Sequence, residues 1–179
     1  MQRSFSSPAI VLKRSNLGES DRVVTLLTQS QGKIACIAKG VRKMQSSNRA
    51  TVEPGNYITA FMISTKGMPI LTQTRLLDNF SNSKTTLAKL RQMTQILEIV
   101  DRLFVENLED ASLFAEIVSI LKNLNSPRPQ MQLLTAQLEN MVAQLGYQSL
   151  QESGHTSFME YIGEITDKPM HSWEYLRVK

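Results

Sequence analysis

The sequence predicts an α+β chain, a five-stranded barrel over residues 1–80 followed by an all-helical region over residues 81–179. Three observations carry that reading. Up to about Asp78, apolar residues recur with a period of two between turn residues, the mark of short strands. Beyond it the period lengthens to that of amphipathic helices. The charge changes at the same place: residues 1–80 carry 11 Lys/Arg against 4 Asp/Glu, and residues 81–179 carry 9 against 12. A basic front half and a slightly acidic back half point to a barrel that binds a polyanion.

The strands follow in order. Pro8–Lys13 is the first, and Ser15–Ser20, with Gly18, reads as a loop. Asp21–Thr28 is the second, with Val24 and Leu26 on one face and Val23 and Leu27 on the other. A turn at Gln29–Gly32 leads into the third, where Ile34, Cys36 and Ala38 share a face and Lys33, Ala35, Ile37 and Lys39 share the opposite one. Gly40 permits a bend that a side chain would hinder. Val41–Arg49 has no apolar period and reads as a polar, basic loop. After the turn Glu53-Pro54-Gly55, Asn56–Ile63 and Ile70–Leu77 form a hairpin closed by residues 64–67. Five strands with both faces partly apolar suggest a closed barrel, which removes exposed edges.

For the helical region, Ser83 is read as the N-cap of a helix with the stripe Leu87, Leu90, Thr94, Leu97 and Asp101. Met93, Ile96, Val100, Leu103 and Phe104 widen that stripe, so the helix is expected to be well buried. Asp110 caps a second helix with Leu113, Phe114, Ile117, Ile120, Leu121 and Leu124 apolar, stopped by Asn125-Ser126-Pro127. A third starts near Pro129, carries Met131, Leu134, Leu138, Met141, Val142 and Leu145, and stops at Gly146. Phe158, Tyr161, Ile162 and Ile165 suit one short helix; Trp173 and Tyr175, packed or partner-facing, lie in a tail without assignment.

Catalytic signatures are missing. The sequence has no phosphate-binding glycine loop, no HExxH and no GxSxG. His155 and His171 are the only histidines and read as solvated residues, while the helical carboxylates read as polar-face groups. Cys36 is the only cysteine, which rules out an intrachain disulfide and a cysteine-based zinc site; it reads as a small core hydrophobe. No cofactor is expected. No apolar run approaches membrane-spanning length, and a cytoplasmic location is expected.

The binding chemistry is better supported. Arg14, Arg22, Lys33, Lys39, Arg42, Lys43, Arg49 and Lys66 fall in the barrel or its loops and are the candidate phosphate contacts. An OB-type barrel commonly carries oligonucleotides over one sheet face and its neighbouring loops. Lys39, Arg42 and Lys43, around Gly40, are the densest group, although a strand with a solvated end would look the same. Tyr57 and Phe61 share a strand face and Phe5 lies at the entry to the first strand; they read as barrel core in preference to base-stacking rings. Binding should then rest on phosphate charge with little sequence preference.

The run AIVLKRSNLGESDRVVTLLTQSQGKIACIAKGVRK, followed by EPGNYITAFMISTKG, resembles the N-terminal domain of RecO, a bacterial recombination mediator. The matching features are Gly18-Glu19-Ser20-Asp21, Thr25-Leu26-Leu27-Thr28, Gly32-Lys33, Ala38-Lys39-Gly40-Val41-Arg42 and Glu53-Pro54-Gly55, in that order. MVAQLGY, ending at Tyr147, resembles the family's Leu-Gly-aromatic helix end. The resemblance implies an OB-fold followed by a helical domain; the missing catalytic motifs, separately, make the chain read as a binding protein and not an enzyme. The resemblance also implies binding of single- and double-stranded DNA, strand annealing, and help in loading RecA onto DNA coated by single-strand-binding protein (SSB). RecR and the acidic C-terminal tail of SSB would be the partners. Such a tail would need cations beside an apolar groove, for which Lys84, Lys89, Arg91, Arg102 and Lys122 are candidates. The four-cysteine zinc module of many members has no counterpart after Tyr147, and the helical domain is expected to be abbreviated. Two other readings stay open: an RNA-binding OB module, and a protein-interaction scaffold whose basic half is merely soluble.

Overall fold

The computed structural model describes residues 4–106, 109–167 and 170. The chain divides into two compact units, the first holding residues up to 80 together with 104–114, the second 81–103 and residues from 115 onward. Trp173, Tyr175 and His171 lie outside the described residues.

The first unit is a barrel of β1 (Ser4–Leu17), β2 (Asp21–Thr28), β3 (Gly32–Ala38), β4 (Tyr57–Ile63) and β5 (Ile70–Asp78). The strands close in the order β1-β2-β3-β5-β4, which is that of an OB-fold. All pairings are antiparallel except β3 with β5, which meet in parallel at Ile37–Ile70 and Ala38–Leu71. The alternation read from β3 holds: Ile34, Cys36 and Ala38 enter the core with Val24 and Leu26 of β2 and Ile58, Ala60 and Met62 of β4. Cys36 is fully buried, and burial pushes its thiol up to about 12, so it stays protonated.

Three details depart from expectation. First, β1 is longer than Pro8–Lys13, because Ser15–Leu17 continue to pair with Asp21–Val23 and only Gly18–Ser20 turn. The pairing satisfies the backbone of a polar stretch in which side-chain alternation is silent. Second, Tyr57 and Phe61 are not barrel core. The core face of β4 is Ile58, Ala60 and Met62, while Tyr57 and Phe61 are half-buried on the opposite face, where the Tyr57 ring lies 6.2 Å from that of Phe114. Phe5 does pack, partly buried, against the core. Third, the loop between β3 and β4 is not merely polar. Val41 and Val52 are buried in the barrel, at 1% and 0% exposure.

That loop supplies what two residue pairs of β3–β5 ladder leave open. Asn48 donates through Nδ2 to the Thr72 carbonyl (3.2 Å), and its Oδ1 accepts from the Thr74 amide (3.1 Å) and the Thr74 hydroxyl (2.9 Å). Thr51 and Thr74 share a further hydroxyl contact. One side chain thus takes the place of a neighbouring strand along part of β5. Replacing Asn48 by Ala should cost about 1 kcal/mol, because the freed β5 groups are partly reached by water. Urea unfolding with an unchanged m-value checks it; an unchanged midpoint would mean that the loop adds nothing to closure.

The second unit is helical. A 3-10 turn at Ser81–Lys84 precedes α1 (Leu87–Leu103), α2 (Ala111–Asn125), α3 (Met131–Gln144), α4 (Leu150–Ser153) and α5 (Phe158–Ile165). The first turn of α2 belongs to the first unit. Ser83 does not cap α1: it is buried, with its amide bonded to the Asn125 side chain, and the Thr86 hydroxyl accepts from the Lys89 amide instead. Leu87 and Leu90 are accordingly exposed, and the buried stripe is Met93, Ile96, Leu97, Ile99, Val100 and Leu103. Asp110 caps α2 as expected, accepting from the Ser112 and Leu113 amides at 2.9 Å each. The apolar positions named for α2 are all buried, as are Leu134, Leu138, Met141 and Val142 of α3, whereas Met131 is exposed. The short α4 went unread, although Ser149 and Glu152 form a complete capping box. No described helix is long and apolar enough to cross a membrane.

Candidate nucleic-acid interface

The densest cations sit where β3 ends. Gly40 has a φ of +63° and room for a Cβ, so conformation rather than space is what glycine supplies. The turn is fastened to the β1–β2 connection by three bonds. The Gly40 amide donates to the Asp21 carboxylate (2.7 Å), the Arg42 amide to the Ser20 carbonyl (2.9 Å), and the Arg42 guanidinium to the Gly18 carbonyl (2.8 Å). The bond from the Gly40 amide, helped by the Ser20 hydroxyl and by the charges of Lys39 and Lys43, holds the Asp21 carboxyl below its ordinary value. Lys39 and Lys43 are exposed beside it. Successive turns, Lys43 to Gly40, Ser46 to Lys43 and Arg49 to Ser46, carry the loop on to Asn48. A basic loop in which the sequence shows no apolar period is therefore held at both ends.

The β4–β5 hairpin reaches the same end of the barrel, because the Ile37 amide donates to the Pro69 carbonyl (2.8 Å) and Ile70 pairs with Ile37. It carries Lys66, which is exposed. Lys39, Arg42, Lys43 and Lys66 are thus brought to one end, on connections that flank the β2–β3 sheet. Arg49 is exposed farther along the loop, next to Asn48 and hence to β5.

The other three candidates are placed differently. Arg14 and Arg22 both pair with Glu53. The Arg14 Nη2 lies 2.8 Å and the Arg22 Nη1 3.2 Å from its carboxylate. Their charges are therefore already taken up by that carboxylate, although Arg22 pairs in register with Ala38 and so lies at the same end as Lys39. Lys33 lies at the opposite end of β3, where Glu106 bridges to Gly32 and Lys33. Lys13 and Arg75, exposed on β1 and β5, were not singled out, and isolated cations in strands gave no signal beyond their charge.

In the helical unit, a cleft of about 590 Å³ at the α2–α3 turn is lined by Lys122, Asn123, Pro127, Arg128 and Leu133 among others. Of the cations suggested for a groove, Lys122 lines it; Arg102 instead pairs with Glu98 at 2.7 Å. Among the described residues no group of three His, Cys, Asp or Glu is placed to hold a metal.

Residues 1–80 match the family model described as Recombination protein O N terminal. The chain is similar to the DNA repair protein RecO of Syntrophomonas wolfei, 31% identical over 80% of this chain and 58% of that protein. It is similar as well to those of Shouchella clausii, 33% identical over 66% of this chain and 46% of that protein, and of Roseiflexus sp., 30% identical over 81% and 51%. The chain spans about half the length of the curated relatives it matches. With the OB strand order, the turn motifs of its first 80 residues and these similarities together, the chain belongs to the RecO family of DNA repair proteins.

Proposed function

We propose that the chain is a non-catalytic DNA-repair mediator whose barrel binds single- and double-stranded DNA through phosphate contacts. The observation that carries this reading is the basic turn fixed by the Asp21–Gly40 and Arg42–Gly18 bonds. Cations held on a rigid loop lose less entropy on binding than cations on a mobile one. Lys39, Arg42, Lys43 and Lys66 contact phosphates and Arg49 extends the track, while Arg14 and Arg22 stay paired with Glu53. Such charge-led, sequence-tolerant binding suits strand annealing and delivery of RecA to DNA coated by SSB, in the cytoplasm and together with RecR. The cleft at the α2–α3 turn, with Lys122 and Arg128 beside Leu133 and Pro127, suits the acidic, hydrophobic tail of SSB.

A salt series of single-strand binding is the test. If four phosphates are neutralised, log K should fall against log salt with a slope near ~−3. A slope near zero would leave an interaction scaffold as the better description. Competition by RNA of the same sequence separates the RNA-binding reading, because a protein that tells the two apart must meet the 2′-hydroxyl.

A further inference from the structure

Three large apolar side chains stand exposed on the three connections that carry the basic end of the barrel. Leu17, at the last position of β1, is 41% exposed; Met44, beside Lys43, is 91% exposed; Met68, two residues past Lys66, is 42% exposed. Singly, an exposed hydrophobe needs no explanation. Here the three share one end of the barrel with Lys39, Arg42, Lys43 and Lys66, because the bonds from Arg42 to Gly18 and from Ile37 to Pro69 hold their connections there. Met44 follows directly on a turn closed by the Lys43–Gly40 bond, so it is presented by ordered backbone. Of the acidic residues near this end, Asp21 is bonded to the Gly40 amide and Glu53 is paired with Arg14 and Arg22, while Glu19 is exposed.

A stacking platform is missing where an OB barrel would offer one. Neither β2 (DRVVTLLT) nor β3 (GKIACIA) contains an aromatic residue, and Tyr57 of β4 faces Phe114. Yet a polyanion with apolar faces is what a mixed rim of cations and apolar tips complements. Unstacked nucleobases have such faces, whereas a duplex hides them inside its stack and presents only groove edges. Methionine and leucine are among the side chains that proteins use as wedges against base steps.

We propose that Leu17, Met44 and Met68 contact the unstacked bases of a single strand whose phosphates lie on Lys39, Arg42, Lys43 and Lys66. The inference rests on the phosphate-binding reading and adds to it: the cations serve any strand, and the apolar tips favour a single one. Met44, the most exposed of the three, meets the bases first.

The test uses the full chain with Leu17, Met44 and Met68 changed together to Gln, and a second variant with Met44→Gln alone. The probe is a thymidine oligomer containing one 2-aminopurine, offered as a single strand and as a duplex. Wild type should raise the 2-aminopurine fluorescence of the single strand. The triple variant should lose that rise and bind the single strand about fivefold more weakly, no more than the low end of what one stacked base contributes, since none of the three tips is aromatic. Its duplex affinity and salt slope should be unchanged, because the cations remain. Met44→Gln, an exchange at a position nearly free of packing, should lose part of the rise. Wild-type fluorescence and affinity in both variants, with the salt slope intact, would overturn this inference alone. A wild-type chain without salt-dependent binding would overturn both readings. Binding to anionic lipid vesicles that these substitutions abolish, with oligonucleotide binding unchanged, would assign the tips to a membrane and overturn the inference as well.

Discussion

Changing Lys39, Arg42 and Lys43 together to Ala should weaken single-strand binding about a hundredfold at ~0.1 M salt and flatten the salt slope by about 2. Each phosphate neutralised on a single strand contributes about 0.7 to that slope, and the same amount in log K per decade of salt below 1 M. Arg42 has a second role, since its guanidinium holds the Gly18 carbonyl. The double variant Lys39→Ala/Lys43→Ala isolates charge from anchoring, because both side chains are exposed. It should show two thirds of the slope change with no loss of stability. Unchanged affinity and slope in the folded triple variant would move the interface elsewhere, with the outward-facing Arg75 and Lys13 the next candidates.

Removing the Glu53 carboxylate should cost about 2 kcal/mol of stability, between the worth of a surface pair and that of a buried one. The side chains of Arg22, Arg14 and Glu53 are 11%, 31% and 38% exposed, so solvent screens the three charges only in part. Glu53→Ala leaves two guanidinium groups facing each other, and the Arg22 Nε has no partner to fall back on. Urea unfolding of Glu53→Ala measures the loss. Adding Arg22→Leu should recover part of it, because an uncompensated charge costs more than an apolar replacement. Full wild-type stability in Glu53→Ala would mean that water, not Glu53, satisfies the two arginines.

How far the sequence could be read depended on whether a pattern was local. β2 was read to its observed ends because each of its residues alternates against two neighbours. All six apolar residues named for α2 are buried because they recur at helical spacing; Val118, buried at the edge of that face, was not among them. Val41 and Val52 escaped because a single valine in a polar loop has no period, and their burial is set by a gap between β3 and β5 that only the tertiary fold creates. Asn48 escaped for the same reason: its partners, Thr72 and Thr74, lie beyond the next hairpin. The capping box of α4 was legible in Ser149 and Glu152 but was attached to too short an apolar run to stand out. For the interface, composition marked the cations and could not sort them. Arg14 and Arg22 have the charge of Lys39 and Lys43, and the difference between them is Glu53, thirty or more residues away in the chain.

The double pairing of β1 bears on how the protein is made. Ala9 and Ile10 pair with β2 on one side and with β4 on the other. During synthesis the β1–β2–β3 meander is complete once Ala38 has emerged, while the partner of the other β1 edge, Tyr57–Ile63, is still to come. At typical elongation speeds those residues arrive about one to five seconds later. Over that interval the nascent chain displays the unpaired edge of an apolar strand, the feature through which sheets join their neighbours. Early growth is thus the stage at which this barrel is most open to association with other chains, and the return of β4 ends it.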